Sequence, residues 1–79
     1  MESLPQPLYL NIMQLTVNGQ IRQVAGTTQT AADLLGELDI KRERVAVVIN
    51  ESVVRRAELA DTKLNDGDTI EIITMVGGG

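Results

Sequence analysis

The sequence predicts an α+β domain, with a mixed sheet of four to five strands and one main helix across one face. Three observations carry this prediction. Asn18-Gly19 sits between two short strand-like runs, and Asn-Gly is the strongest short signal for a β-hairpin because both turn positions need positive φ. Ala31, Leu34, Leu35 and Leu38 then recur at helical spacing and make one apolar stripe. Two more strand-like runs, one starting at Val45 and one at Thr69, complete an order of strand, strand, helix, strand, short strand, strand.

Residues 1–12 read as a flexible N-terminal extension. Pro5 and Pro7 each remove a backbone donor and favour extended chain, so this stretch is given no functional role. The patterned domain is expected over residues 13–76, with residues 77–79 a flexible glycine tail. Met13 to Val17 alternates apolar and polar residues with period two, as a half-buried strand does. Gln20 to Val24 returns as its partner, with poorer alternation and therefore an open register. Gly26-Thr27-Thr28 breaks the pattern before the helix. Thr30 is the expected N-cap and Asp33 its short-armed capping-box partner. The helix spans only two to three turns, contains Gly36 and nears Asp39, a poor helix former, so it needs a sheet to lie on.

Lys41 to Arg44 reads as a solvated connection. Val45 to Ile49 is apolar on both parities, as expected of a strand covered on both faces or flanked by strands. Asn50-Glu51-Ser52 turns the chain, and Val53-Val54 is expected to pair back briefly. Arg55 to Leu64 has no clean period and reads as a short helical turn and loop. Asn65-Asp66-Gly67-Asp68 is a strong turn, and the last strand is expected from Thr69 to about Val76. A first hairpin, a crossing helix and a last strand beside the first make the β-grasp, or ubiquitin-like, arrangement.

Composition narrows the chemistry. The 79 residues include no cysteine, histidine, tryptophan or phenylalanine, and Tyr9 is the single aromatic residue. There is thus no thiolate nucleophile, no imidazole base, no Cys- or His-based metal site and no platform for stacking nucleobases. Only carboxylates, lysine or the chain termini remain for catalysis, so a stand-alone enzyme is not expected. Seven basic against eleven acidic residues give a net charge of −4, which repels phosphate backbones and anionic lipid. Nucleic acid and membrane surfaces are therefore not expected partners. No apolar run approaches the roughly 20 residues of a membrane span, and Glu2, Pro5 and Pro7 do not suit a secretion signal, so the cytoplasm is the expected location.

The most informative feature is Gly77-Gly78-Gly79. At the average glycine frequency three in a row arise by chance in about 0.03% of cases. They form either a frayed polar tail or a substrate handle. The handle has a physical basis: a chain without Cβ atoms can thread a narrow channel, and it presents an unshielded α-carboxylate. Such a carboxylate can attack the α-phosphorus of ATP, giving an acyl-adenylate from which a nucleophile displaces AMP. Other candidates are weaker. Asp66 and Asp68 around Gly67 are ordinary turn chemistry; Glu37, Asp39 and Glu43 read as solvated, as do Arg55 and Arg56; Thr28 and Thr30 read as turn and cap. If Ile70 and Ile72 face the core, Ile73 and Met75 share the opposite face with Glu71. There they either form an apolar docking patch beside the tail, with Val76, or are buried by a twist or bulge.

Met13 to Gly19, Thr30-x-x-Asp33-Leu34-Leu35, Val45 to Asn50, and Leu64 to Ile72 running into Val76-Gly77-Gly78-Gly79 together resemble the ThiS family, the ubiquitin-like sulfur carriers of thiamine thiazole biosynthesis. The resemblance covers Met13 to Gly79. It departs from the family at the N-terminal extension and at Glu51, where the family commonly has glycine. The resemblance implies that a ubiquitin-E1-like enzyme adenylates Gly79 with Mg-ATP, and that the adenylate becomes a thiocarboxylate with sulfur ultimately from cysteine, through a cysteine desulfurase. It implies delivery of that sulfur to thiazole synthase, with Gly77 and Gly78 leading into both enzymes' channels. The carrier itself would bind no cofactor and would be a monomer when free. Two rival readings stand beside this one. The small subunit of molybdopterin synthase shares the fold and the chemistry, although its relatives often carry prolines before the tail and Ile73 to Val76 has none. A β-grasp binding module with an inert tail is the other.

Overall fold

A computed structural model describes residues 12–75. They form a five-stranded sheet in the order β2-β1-β5-β3-β4, with one α-helix packed on one side. The strands are β1 (Ile12–Val17), β2 (Gln20–Ala25), β3 (Val45–Ile49), β4 (Ser52–Val54) and β5 (Thr69–Thr74), and α1 spans Ala31–Glu37. β1 and β2 form the expected hairpin, paired from Ile12↔Ala25 to Val17↔Gln20. β5 lies parallel to β1 and antiparallel to β3, which itself pairs antiparallel with β4. This is the β-grasp arrangement read from the element order.

Two details depart from the sequence reading. β1 begins at Ile12, one residue inside the stretch assigned to the extension, whose other residues lie outside those described. β5 ends at Thr74 rather than near Val76; Met75 still donates its N–H to the Arg44 carbonyl at 2.8 Å. β2 also settles its register. Arg22 pairs with Leu15, so Val24 points to the core and Ile21 to the open face, 68% exposed.

The core explains why these residues fold this way. Leu15 and Val17 of β1, Ile70 and Ile72 of β5, and Val45, Val47 and Ile49 of β3 project from one side of the sheet. Ala31, Leu34 and Leu35 of α1, with Leu59 and Leu64 from the following connection, cover them. At roughly 25 cal/mol per Å2 of apolar surface removed from water, each buried leucine or isoleucine contributes about 1.5–3 kcal/mol. The connection is held by a 3-10 helix over Arg56–Asp61 and by a bridge between Thr30 and Lys63.

The helix is capped at both ends. Thr30 Oγ1 accepts the Asp33 N–H at 3.1 Å, and Asp33 Oδ2 accepts the N–H groups of Thr30 at 3.0 Å and Gln29 at 3.1 Å. These bonds, that from Gln29 first, hold the Asp33 carboxyl below its ordinary pKa. At the other end Asp39 adopts φ 58° while Asp39 N–H bonds Gly36 and Ile40 N–H bonds Leu35, which closes a Schellman motif. Asp39 therefore terminates the helix. Glu37 is also more than a solvated charge: its Oε2 accepts the hydroxyl of buried Thr28 at 2.7 Å.

Candidate functional site

β5 is the middle strand of the sheet, paired with β3 on one side and β1 on the other. On one side β3 pairs with it as far as Val45↔Thr74. On the other side β1 stays with it only briefly. Thr16 N–H bonds the Asp68 carbonyl and Asn18 N–H the Ile70 carbonyl, each at 2.9 Å, and then the chain turns away through Asn18-Gly19. The Asn18 side chain takes over from there. Its Oδ1 accepts the Ile72 N–H at 2.7 Å and its Nδ2 donates to the Ile72 carbonyl at 3.2 Å.

The start of β5 is fixed by a second asparagine. Asn50 Oδ1 accepts the Thr69 N–H at 2.9 Å, and Asn50 Nδ2 donates to Asp68 Oδ1 at 2.8 Å. Asp68 is buried, and its Oδ2 also accepts the Asn65 N–H at 2.9 Å. Asp66 Oδ1 accepts the Gln14 N–H at 2.7 Å. Both acids of the Asp-Gly-Asp turn thus hold backbone in place. Among the described residues no cluster of three or more acidic side chains is arranged to hold a metal ion.

The open face carries an apolar strip, the first of the two alternatives the sequence left open. Ile73 and Met75 are 49% and 46% exposed, on the face opposite buried Ile70 and Ile72. Ile73 pairs with Ala46, Glu71 with Val48, and Val48 with Val53, which is 73% exposed. No bulge or twist hides these side chains. The structure therefore brings Ile73 and Met75 together beside Glu71. Val76, Gly77, Gly78 and Gly79 lie outside the described residues.

Sequence reasoning missed the two asparagine side chains. Each was explained fully by the turn it makes, and nothing local in the sequence points 54 residues ahead to Ile72 or 18 ahead to Asp68. A separate cavity of about 360 Å3 sits where β1 begins, at the opposite end from the Thr74 terminus of β5, between Met13, Thr28 and Leu64. Lys63 and Asp66 also line it, and the Thr28 hydroxyl at its wall is engaged by Glu37. Among the described residues no helix is long and apolar enough to cross a membrane.

The ThiS family model matches residues 15–79. The chain belongs to the ThiS family. It is 36% identical over 67 residues to the sulfur carrier protein ThiS of Escherichia coli (strain K12), covering 85% of this chain and 100% of that one. It is 39% identical over 67 residues to a thiazole synthase of Paramagnetospirillum magneticum, again over 85% of this chain, but spans only 20% of that protein's length. The fold is similar to a crystal structure of the ThiS thiamine biosynthesis protein from Geobacter metallireducens. That match has a TM-score of 0.74 and 36% identity, and covers 85% of this chain and 100% of the other. The glutamate at position 51 thus stands within a ThiS fold that keeps its turn.

Proposed function

We infer that this chain is a sulfur carrier of thiamine biosynthesis. The observation that carries the reading is its alignment with the whole length of a ThiS sulfur carrier, within a family match that continues to residue 79. The reactive group is the Gly79 carboxylate. On an E1-like adenylating enzyme with Mg-ATP, a carboxylate oxygen attacks the α-phosphorus and pyrophosphate leaves. The resulting acyl-adenylate is activated because AMP is a good leaving group. A persulfide formed from cysteine on a desulfurase displaces AMP to give an acyl disulfide, and a thiol reductant then cleaves its S–S bond to leave the thiocarboxylate. Thiazole synthase then takes the sulfur, and the regenerated carboxylate returns for another cycle in the cytoplasm.

The chain's own contribution is presentation. Side-chain-free Gly77 and Gly78 are suited to narrow channels in both partner enzymes. Ile73 and Met75, with Val76, form the docking strip next to the tail, and Met75 adds the adaptability that lets one surface serve two partners. On this reading the protein is a recycled co-substrate whose turnover belongs to its partners.

The test is the intact mass after incubation with ATP, magnesium, the adenylating enzyme, a cysteine desulfurase and cysteine. Exchange of one oxygen for sulfur has nearly the same nominal gain as oxidation of one of the three methionines. Fragmentation must therefore place the change on Gly79. An ATP-dependent shift at Gly79 is expected, and a variant lacking Gly78 and Gly79 should show none. An unmodified Gly79, with enzymes that do charge a control carrier, would favour a binding module instead.

A further inference from the structure

We propose that Asn18 is a positioning residue for the tail, its side-chain amide standing in for the sheet rung that β1 no longer supplies and so fixing the direction in which the chain leaves β5. The proposal rests on the carrier reading above. Facing β1 are Asp68, just before β5, and Ile70 and Ile72 within it. The Asp68 carbonyl is met by Thr16 N–H of β1 and the Ile70 carbonyl by the backbone N–H of Asn18, just past the end of β1. The third arrives where β1 has already entered its turn, and a hairpin alone would leave both polar groups of Ile72 open on that side.

A primary amide carries N–H donors and a carbonyl acceptor side by side, the same kinds of group as a peptide unit. Asn18 uses both on a single residue, accepting from Ile72 N–H at 2.7 Å and donating to its carbonyl at 3.2 Å. The turn does not require this. At φ 49° glycine would be at least as well accommodated as asparagine. The two-point contact is what distinguishes the residues chemically: aspartate could accept but not donate, and glycine could do neither.

The consequence falls on the segment that follows. With Ile72 held on one side by Asn18 and its neighbours held on the other by β3, Ile73 and Met75 keep their places on the open face. Without Asn18, the end of β5 is held by β3 alone. The tail then starts from a looser base, and its carboxylate spends less time aligned with the α-phosphorus.

The experiment compares Asn18→Gly, Asn18→Asp and Asn50→Gly with the unaltered protein, at a temperature where all are folded by circular dichroism. Each is given to an E1-like enzyme already shown to charge a ThiS relative, and ATP-dependent pyrophosphate release is followed over a range of carrier concentrations. Asn50→Gly removes the matching side chain from the other turn, away from the tail. Asn18→Gly should lower kcat by about tenfold, Asn50→Gly by less than about twofold, and Asn18→Asp should recover part of the loss. Amide exchange at Ile72 should quicken in Asn18→Gly and stay unchanged in Asn50→Gly. Equal kcat values for the two glycine variants would overturn the positioning role and leave the carrier reading intact. An unaltered protein that the enzyme does not charge, beside a control carrier that it does, would overturn both.

Discussion

Asn18-Gly19 and Asn50-Glu51 close the two hairpins of this sheet with nearly the same backbone. Both asparagines lie at φ 49°, followed by Gly19 at 83° and Glu51 at 72°. Both side chains reach β5, one at Ile72 and the other at Thr69. The surroundings differ. Asn50 sits in a network with buried Asp68 and the Asn65 N–H, at a place where a lost partner leaves a carboxylate unsatisfied. The Asn18 side chain hydrogen-bonds only the Ile72 backbone, two residues before β5 ends. One local motif thus secures the fold at the start of β5 and the tail's point of departure at its end, and position along the strand decides which.

The largest effect is expected at Asn50. Asn50→Ala removes two side-chain bonds, strips Asp68 of a donor and puts a Cβ-bearing residue without a local polar contact into the left-handed region. Urea unfolding should show a loss of about 2–3 kcal/mol, against about 1–2 kcal/mol for Asn18→Ala. Equal losses would break the distinction between a fold-securing and a tail-directing turn.

The second residues of the turns sharpen it from the other side. Glu51 bears a left-handed φ that glycine adopts freely, and the turn around it persists. Glu51→Gly should stabilise the domain by about 0.5–1 kcal/mol, whereas Gly19→Ala should destabilise it by a similar amount, both read from denaturation midpoints. Opposite signs are the prediction; the same sign would mean that the turns are not equivalent in backbone.

The smallest effect separates both turns from the third side-chain lock, the Thr30–Asp33 box, which can titrate. The Asp33 carboxyl is held below its usual range by the Gln29 and Thr30 N–H groups. A depressed folded value stabilises the protein above the unfolded pKa, and that contribution is lost as pH falls through the folded value. The melting temperature of Asp33→Asn should therefore lie below that of the unaltered protein at neutral pH, with the gap closing in acid.

These comparisons also mark what the sequence made legible. Period-two and helical spacing, the Asn-Gly pair and the Thr30–Asp33 box were local, and they led to the strands, the helix and its cap. The blurred alternation of β2 has a physical cause: it is an edge strand, and the helix side covers Val24 while Arg22 and Gln20, on the same face, remain exposed. β3 read as apolar on both parities because it lies between two strands, although Ala46 and Val48 are only half-buried. Parity put Ile73 and Met75 on the face opposite Ile70 and Ile72, but whether a twist or bulge buried them was open until the structure showed them exposed. What stayed hidden was non-local: the reach of Asn18 and Asn50 to β5, and the hold of Glu37 on Thr28. A residue that fully satisfies one local role gives no sign of a second.

The place of β5 in the sheet also bears on how the molecule comes into being. The hairpins of β1–β2 and β3–β4 are made first and share no strand; β5 is the later segment that joins them, pairing Thr16 with Thr69 across most of the chain. Such distant pairing is slow to find and cannot be anticipated by either half. Of the sheet's strand pairings, only those made by β5 connect the two hairpins. A chain cut short before β5 would leave the two hairpins without the strand that joins them, so the sheet and the lead into the working end are completed by one and the same segment.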